Sequence, residues 1–378
     1  MKSAELELTV QQDTVKDRPV RPGLGALHTR APETSSYRFI IETIVFLTYV
    51  AFGVSWAATG TFLKDIMDEL SIGLSRASFI NTSISIAKIF GPVLAGIISA
   101  KIGLKRAFLL ASFFISLGIF APIAPGYPLL LLARFAMGLG SALVMVYFTP
   151  ITMQWFPENE RVAVNGLNFV SVSAGMTVGL WATPFFMSVT GATWKTTLII
   201  YSLFSILLTA FWALFGKEKD SAAKGGDEEN LEKRSRTGYR SIMKDSNTWK
   251  LIFCYFGILS FYLSVFTYFP TFYRTVRQFP PDSWGAQAPA LVMFASIPSA
   301  LLGIWLSNKI SSRTALMKVS GILLIPAGLG MFLTSSHAVT AVSALVAGFC
   351  LFIWRPSFFT IPQELPGSCE KKAGAMMS

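Results

Sequence analysis

The chain has 378 residues, of which 52% are hydrophobic and only 14% are charged, and its formal net charge is +11. A soluble domain usually carries about 25% charged residues, whereas here residues 43–63, 196–216 and 251–273 contain none. About 20 apolar residues are enough to cross the hydrocarbon core of a bilayer. The sequence therefore excludes a soluble globular domain and indicates a polytopic helical membrane protein, with the lipid bilayer as a partner.

Ten apolar segments are predicted to cross the membrane. We expect each to be a helix, because backbone amides in lipid must be satisfied within their own segment. Residues 1–37 are polar and lack the apolar core of a signal peptide, so we expect a disordered cytoplasmic tail. Residues 217–247 are mixed in charge and poor in apolar residues, which predicts a cytoplasmic linker. This linker would separate an N-terminal six-helix bundle, residues 38–216, from an incomplete C-terminal bundle of four helices, residues 248–378. The predicted spans are residues 39–62, 77–100, 107–125, 128–153, 162–188, 195–216, 249–272, 287–308, 314–335 and 338–362.

The distribution of lysine and arginine predicts the orientation. If the N-terminus is inside, the outer loops contain only five of the 32 basic residues, which fits the excess of Lys and Arg in cytoplasmic loops. We therefore expect an integral protein of the plasma (inner) membrane with a cytoplasmic N-terminus. The net charge then reflects this bias, so no nucleic-acid partner is expected, and we expect a monomer. The five outer residues are Lys64, Arg76, Lys195, Arg274 and Arg277.

The sequence gives no basis for metal or cofactor chemistry. Its cysteines and histidines are too few and too scattered for a disulfide framework or a zinc site. No nucleophile–base pair or phosphate-binding loop is visible, which argues against an enzyme. We expect no cofactor, no metal ion and no catalytic residue.

The two halves repeat one another at an offset of about 207–210 residues. Residues 94–107 match 301–315, with Gly96 on Gly303, and residues 138–148 match 348–358. Repeated halves are typical of a transporter whose site lies near the membrane midplane between them. The second half stops where its fifth span would begin, so we expect the last two of twelve helices to be missing from this chain.

The loop between the second and third spans resembles that of the major facilitator superfamily, which combines two glycines, an acid and several basic residues. Ala100 takes the acidic position. In the family that acid helps to lock the outward-facing state, so the resemblance implies an inward-open state that is more populated here. The matching residues of this conformational-switch loop are Gly96, Lys101, Gly103, Lys105 and Arg106.

The resemblance extends over about residues 40–375. The fourth-span pattern of the family fits Arg134, Gly138 and Gly140, and the "WFPENER" loop at 155–161 is most similar to the nitrate, cyanate and organic-anion porter branches. The resemblance implies a two-bundle all-α fold that moves a solute by alternating access, with residues 38–216 rocking against residues 248–378.

Lys88 is the first candidate for the site, since a charge at the bilayer centre costs at least about 2.5–3.5 kcal/mol and needs a reason. It lies near mid-depth of the second span, and Asn81, Ser85 and Lys88 follow helical spacing on one polar face. Two interpretations stay open. Lys88 lines a cavity and binds substrate, or it snorkels and bonds to backbone carbonyls.

Two arginines are further candidates. Arg134 could hold a carboxylate through two parallel hydrogen bonds, or be a structural arginine satisfied by helix carbonyls. Arg355 lies deep in the last span before Pro356, which frees a carbonyl that could satisfy it locally. Glu42, near the cytoplasmic end of the first span, is the only acid within any predicted span.

This inventory of charges predicts an anionic substrate that supplies the missing countercharge. It does not support proton symport through a buried acid, and Lys88 is the preferred proton carrier if protons are coupled. Tyr49, Trp56 and Tyr262 could close the site, or serve in ordinary helix packing. Gly91 and Gly96 are expected to allow close helix approach.

Two functions remain at the level of the sequence. The favoured one is a secondary-active or facilitative transporter of a small solute, an anion or organic anion. The alternative is a transporter-derived sensor or assembly protein without transport activity, or an inactive truncated transporter.

Overall fold

The computed structural model describes residues 36–218, 246–280, 283–309 and 313–354, and its regular elements in these ranges are all helices. A 3₁₀ turn at Leu117–Ile119 joins the fourth and fifth of them. The helices are α1 Tyr37–Thr61, α2 Leu63–Leu70, α3 Leu74–Ile102, α4 Leu104–Ser116, α5 Phe120–Ile123, α6 Tyr127–Trp155, α7 Glu158–Thr190, α8 Trp194–Phe215, α9 Ser246–Thr267, α10 Phe269–Thr275, α11 Ala288–Lys309, α12 Arg313–Leu333 and α13 His337–Phe352.

The helices confirm the all-α, polytopic membrane fold. Among the described residues, seven helices are long and apolar enough to cross a membrane, and α9 with α10, bent by 45°, makes an eighth. The apolar helices Ala288–Gly303 and His337–Phe352 are shorter. Each of the ten predicted spans coincides with one of these helices or helix groups, and the last one, 338–362, continues past the described residues. The predicted tail, most of the linker, and Arg355 also lie outside the described residues, and the predicted domain limits stay predictions.

The outer surface of the bundle is apolar, as a lipid-facing surface requires. Large side chains such as Val93, Phe185 and Leu214 are 69%, 71% and 75% exposed. The interior is packed with aromatic and small residues, including Phe52 and Phe148, which are fully buried.

Glycines bring α1 and α7 into backbone contact. A Cβ at Gly53 would lie 2.6 Å from the carbonyl oxygen of Val172, and one at Gly179 would lie 2.5 Å from that of Val54. Gly175 meets the carbonyl of Val50 in the same way. Val50 meets Gly175 and Val54 meets Gly179, so the residue numbers of these two contacts rise together and α1 and α7 run parallel.

The repeat seen in the sequence has a structural counterpart. A Cβ at Gly138 of α6 would lie 2.7 Å from the carbonyl oxygen of Ile84 on α3, and Gly348 of α13 meets the carbonyl of Val292 on α11. The matched glycines therefore bring the equivalent pair of helices together in each half.

Of the two glycines expected to permit close approach, only one does so. A Cβ at Gly91 would overlap the Cβ of Ala142 on α6, whereas one at Gly96 would meet nothing within 4 Å. The expectation for Gly96 was wrong because this residue lies on an exposed face of α3, away from the other helices that the structure describes.

The two halves meet from mid-depth to the end of the bundle at which α1 finishes, which we call the Thr61 end. There Asn81 Nδ2 donates a hydrogen bond to Thr267 Oγ1 at 3.2 Å, and Gly60 meets the backbone carbonyl of Phe266. α7 packs against α11 across the same boundary. These contacts position the candidate site between the halves.

Candidate functional site

Lys88 lies in the middle of α3 and is half-buried. Its ammonium nitrogen lies 3.9 Å from the centroid of the Trp56 ring and 4.9 Å from that of the Phe52 ring, both on α1. A cation over aromatic faces is attracted by the ring quadrupole, more strongly where water is excluded. The structure therefore places the charge of Lys88 against α1, on the polar side of α3 that the sequence indicates.

An aromatic chain runs from α1 across the boundary between the halves. Tyr49 and Phe52 stack with centroids 5.6 Å apart, Phe52 and Trp56 are 5.2 Å apart, and Trp56 meets Phe266 of α9 edge-on at 4.9 Å. Phe266 in turn lies 5.3 Å from Tyr262. The three aromatic residues singled out from the sequence thus share one cluster, and Phe52 and Phe266 complete it. Helical spacing on α1 could have revealed Phe52, but nothing in the sequence pairs Trp56 with Phe266.

Two side chains of this cluster have polar atoms directed into the protein. Tyr262 donates its hydroxyl hydrogen bond to Met176 Sδ at 2.9 Å, which again joins the halves. Trp56 is 4% exposed, and its indole N–H has no hydrogen-bond partner among the described residues. A buried tryptophan N–H usually finds an acceptor, so the Trp56 donor is available to a bound molecule.

The polar face of α3 continues toward the Thr61 end. Asn81 uses its amide N–H on Thr267, as described above, while its Oδ1 is buried and accepts no hydrogen bond within the described chain. Ser85, between Asn81 and Lys88, is half-buried and directs its hydroxyl to the backbone carbonyl of Asn81 at 3.5 Å. The site therefore offers a cation, a hydrogen-bond donor and a hydrogen-bond acceptor.

Arg134 contacts the backbone of α1. It is 2% exposed, and its guanidinium donates a hydrogen bond of 3.1 Å to the carbonyl oxygen of Ser55, with Met137 Sδ at 3.9 Å. This contact agrees with the structural interpretation of Arg134, but its Nε is buried without a hydrogen-bond partner among the described residues, so both interpretations stay predictions. Because Ser55 precedes Trp56, Arg134 fixes the part of α1 that carries the tryptophan.

The predicted conformational-switch loop lies at the end of the bundle opposite the Thr61 end. Ala100, Lys101 and Arg106 are exposed, and Lys105 is half-buried. Gly103 has φ +79°, a left-handed value that glycine adopts without strain, and it separates α3 from α4.

An acid contacts this loop although Ala100 occupies the position at which the family has an acid. The carboxylate of Glu218, which follows α8, accepts hydrogen bonds from the backbone N–H groups of Leu104 and Lys105 at 3.1 and 3.3 Å. A carboxylate there satisfies donors of the first turn of α4 and complements its dipole. No pattern in the sequence indicates a role for Glu218, because it lies in the predicted linker.

A separate cavity of about 240 Å³ lies at the Thr61 end, between the halves. Asp65 of α2 and Arg274 of α10, which lie on its wall, form an ion pair of 3.1 Å across the boundary. None of the site residues singled out from the sequence lines this cavity, so it is distinct from the site at Lys88.

A helical bundle whose related halves meet at a half-buried cation and a cluster of aromatic rings has the architecture of a solute transporter. The model of the Major Facilitator Superfamily matches residues 45–378. The chain belongs to this family, whose members carry small solutes across membranes and are not enzymes.

Two relatives and one solved structure are informative. The chain is 30% identical to the uncharacterized protein Cj0987c of Campylobacter jejuni over 316 residues, which cover 82% of this chain and 95% of that protein. It is 25% identical to the hexuronate transporter of Bacillus subtilis, over 79% of this chain and 74% of that protein. Its fold is similar to a bacterial homologue of the human lysosomal transporter Spinster, solved in an inward-facing, unoccupied conformation. That likeness has a TM-score of 0.72 at 16% identity, over 90% of this chain and 78% of the other.

Proposed function

We propose that this protein moves a small organic anion across the plasma (inner) membrane by alternating access, with its N-terminus in the cytoplasm. The observation that carries the proposal is the pairing of the Lys88 ammonium with the buried, unpartnered N–H of Trp56. The ammonium attracts negative charge, and the indole N–H can donate a hydrogen bond to an oxygen of the same anion.

The other groups of the site favour an anion that also carries hydroxyl groups. Asn81 Oδ1 is a buried acceptor that a substrate hydroxyl can satisfy. The aromatic chain supplies apolar faces against which the carbon skeleton of a sugar acid can pack. The Bacillus subtilis relative is named for hexuronate, a solute of this chemical class.

The contacts between the halves support an arrangement open toward the cytoplasm. The hydrogen bond between Asn81 and Thr267 and the ion pair between Asp65 and Arg274 both close the Thr61 end. With the proposed orientation the Thr61 end is the outer one. The loss of the switch-loop acid at Ala100 agrees with this state, and so does the fold likeness to a transporter solved in an inward-facing conformation.

Counterflow in proteoliposomes tests the proposal. Vesicles loaded with unlabelled glucuronate should accumulate labelled glucuronate through the wild-type protein. Labelled xylose offered in its place should not accumulate. Because a hydrogen bond to a charged group contributes about 1.5–3 kcal/mol, we expect Lys88→Ala to reduce uptake about 10- to 100-fold.

Lys101→Ala is the matched control, since Lys101 is exposed on the same helix and should leave most uptake intact. Equal losses in both variants, or stronger uptake of xylose than of glucuronate, would remove the role assigned to Lys88. A cargo that changes tryptophan fluorescence without any flux would favour a sensor over a transporter.

A further inference from the structure

A second polar site lies between α1 and α7, away from Lys88. Glu42 of α1 is 7% exposed and Asn168 of α7 is fully buried. Asn168 lies next to the Glu42 carboxyl group. Yet neither carboxyl oxygen of Glu42 and neither amide atom of Asn168 has a hydrogen-bond partner within the described residues.

The charged groups that precede this pair on α1 and α7 bond to other partners, although Arg38 Nε is buried without a hydrogen-bond partner among the described residues. On the preceding turn of α1, Arg38 forms a two-pronged ion pair with Glu160 of α7, at 3.0 and 3.3 Å. Arg161 of α7 donates to the backbone carbonyls of Phe156 and Met153.

Three further cations contact α1 at other positions, and one of them is Lys88 of α3, which lies over Phe52 and Trp56. Lys217, after α8, lies with its ammonium 4.3 Å from the Tyr37 ring, and Arg134 of α6 is bonded to Ser55, more than three helical turns from Glu42 along α1. Glu42 thus has a buried carboxyl group without an ion-pair partner among these groups.

The atom types at the pair decide which form of the acid fits. A carboxylate can only accept, so it could use the Asn168 N–H but would leave Asn168 Oδ1 unpaired beside a negative charge. A protonated carboxyl group can donate its O–H to Asn168 Oδ1 while its carbonyl oxygen accepts from Asn168 Nδ2. This cyclic pair satisfies all four unpartnered atoms, and it avoids burying a bare charge, which is very costly.

We propose that Glu42 and Asn168 form a proton-binding site in which Glu42 carries its proton in this conformation. The carboxylate takes up the proton when water reaches it from the end of the bundle at which α1 begins, and it returns the proton to water when it is exposed there again. The sequence favours Lys88 as the proton carrier, and this proposal assigns that role to Glu42 instead. Only the link between this proton and solute movement depends on the proposed transport function.

Infrared spectroscopy of the purified protein in lipid tests the site without any cargo. The wild type should show the carbonyl stretch of a protonated carboxyl group at neutral pH, and Glu42→Gln should abolish it. Asn168→Leu should shift it by removing the amide partner. The control Glu69→Gln changes an exposed acid that is paired with Lys195 and the Trp194 indole N–H, and the band should stay. Absence of the band from the wild type, or its persistence in Glu42→Gln, would overturn the proposal.

Thermal unfolding gives a second measurement that guards against misfolded variants. A buried acid that is neutral in the folded state stabilises the fold at low pH and loses this contribution as the pH rises. The wild-type Tm should therefore fall as the pH rises through the weakly acidic range to neutrality, while Glu42→Gln should remain folded and lack this component. A Tm that rises with sodium over choline and ignores pH would identify a metal-cation site instead and contradict the proton site.

The link to transport has its own readout. An inward proton gradient should accelerate glucuronate uptake in the wild type, and Glu42→Gln should lose this acceleration. Lys88→Ala should lose uptake with or without the gradient. If no variant transports glucuronate, the proposed function fails, and the infrared band still decides whether Glu42 binds a proton.

Discussion

Lys88 and Glu42 show two ways in which a single residue places a titratable group inside a membrane bundle. Lys88 directs its ammonium onto the rings of Trp56 and Phe52, whose faces attract and partly compensate the positive charge. Glu42 is opposed by the neutral amide of Asn168, which fits an acid that gives up its charge. The first arrangement suits a group that keeps its charge for a substrate, and the second suits one that titrates.

Two glycines of α3 provide a residue-scale prediction. Gly91→Ala should destabilise the protein by about 1–3 kcal/mol, because its methyl group would overlap Ala142 in a packed interior. Gly96→Ala should be neutral or stabilise by up to about 1 kcal/mol, since the same methyl group meets open space and alanine favours the helix. Tryptophan-fluorescence melting of the two variants in one detergent checks this order, and a lower Tm for Gly96→Ala than for Gly91→Ala would contradict it.

Individual residues differ in how far the sequence alone could place them. The direction in which Lys88 points follows from its helical spacing with Asn81 and Ser85, because the polar face of an apolar helix turns toward protein rather than lipid. Arg134 was left between two roles because its acceptor is a backbone carbonyl of α1, which no sequence pattern records. The burial of Glu42 was missed because a residue near a predicted span end is expected to reach water, and the packing of α7 prevents this.

At the scale of elements, the contact between α2 and α10 can be tested by mutation. Their ion pair between Asp65 and Arg274 is 27% and 51% exposed at the two side chains, and such pairs contribute about 0.2–1 kcal/mol. Asp65→Asn should therefore raise the population open at the Thr61 end by a factor of about 1.4 to 5. The control Asp68→Asn removes the same charge from α2 but breaks only a pair with Lys64 within that helix.

Cysteine labelling measures this opening. Ala290, which is 3% exposed and lines the cavity at the Thr61 end, is replaced by cysteine after the native cysteines are changed to serine. A membrane-impermeant maleimide should then react faster in Asp65→Asn than in Asp68→Asn. Identical rates would show that the ion pair does not hold the halves together.

The helices were predictable as elements, and their junctions were not. Long apolar runs without charge define α1, α8 and α9 with α10 almost by themselves. The start of α4 at Leu104, three residues before the predicted limit, depends on the turn at Gly103 and on Glu218. Glu218 is distant in the chain, so a local pattern could not indicate this contact.

At the scale of the whole molecule, the orientation is the feature on which the direction of transport depends. A green fluorescent protein inserted at residue 224, within the predicted linker, should fluoresce, and an alkaline phosphatase fused at the same point should be inactive. The reason is that a cytoplasmic linker keeps both reporters inside, where the phosphatase lacks its disulfides. The opposite pair of results would place the linker and the Thr61 end on the other sides of the membrane and reverse the proposed direction of opening.

The relation between the halves was partly accessible from the sequence. The matched glycines Gly138 and Gly348 fall at equivalent helix contacts, as the repeat implies. The contacts that join the halves, such as Trp56 with Phe266 and Tyr262 with Met176, connect residues that have no shared pattern. Only the folded chain shows that the aromatic residues of both halves converge next to Lys88.

The backbone contact between α1 and α7 has a mechanical consequence. Where main chains touch at glycines, no side chains are left to rearrange, so these two helices have little room to slide or twist against each other. We therefore expect α1 and α7 to move as one rigid unit. The two halves would then move against each other at the contact between α7 and α11. A solute bound at Trp56 would move together with α1 and α7, and its release would require the helices of the opposite half to move away.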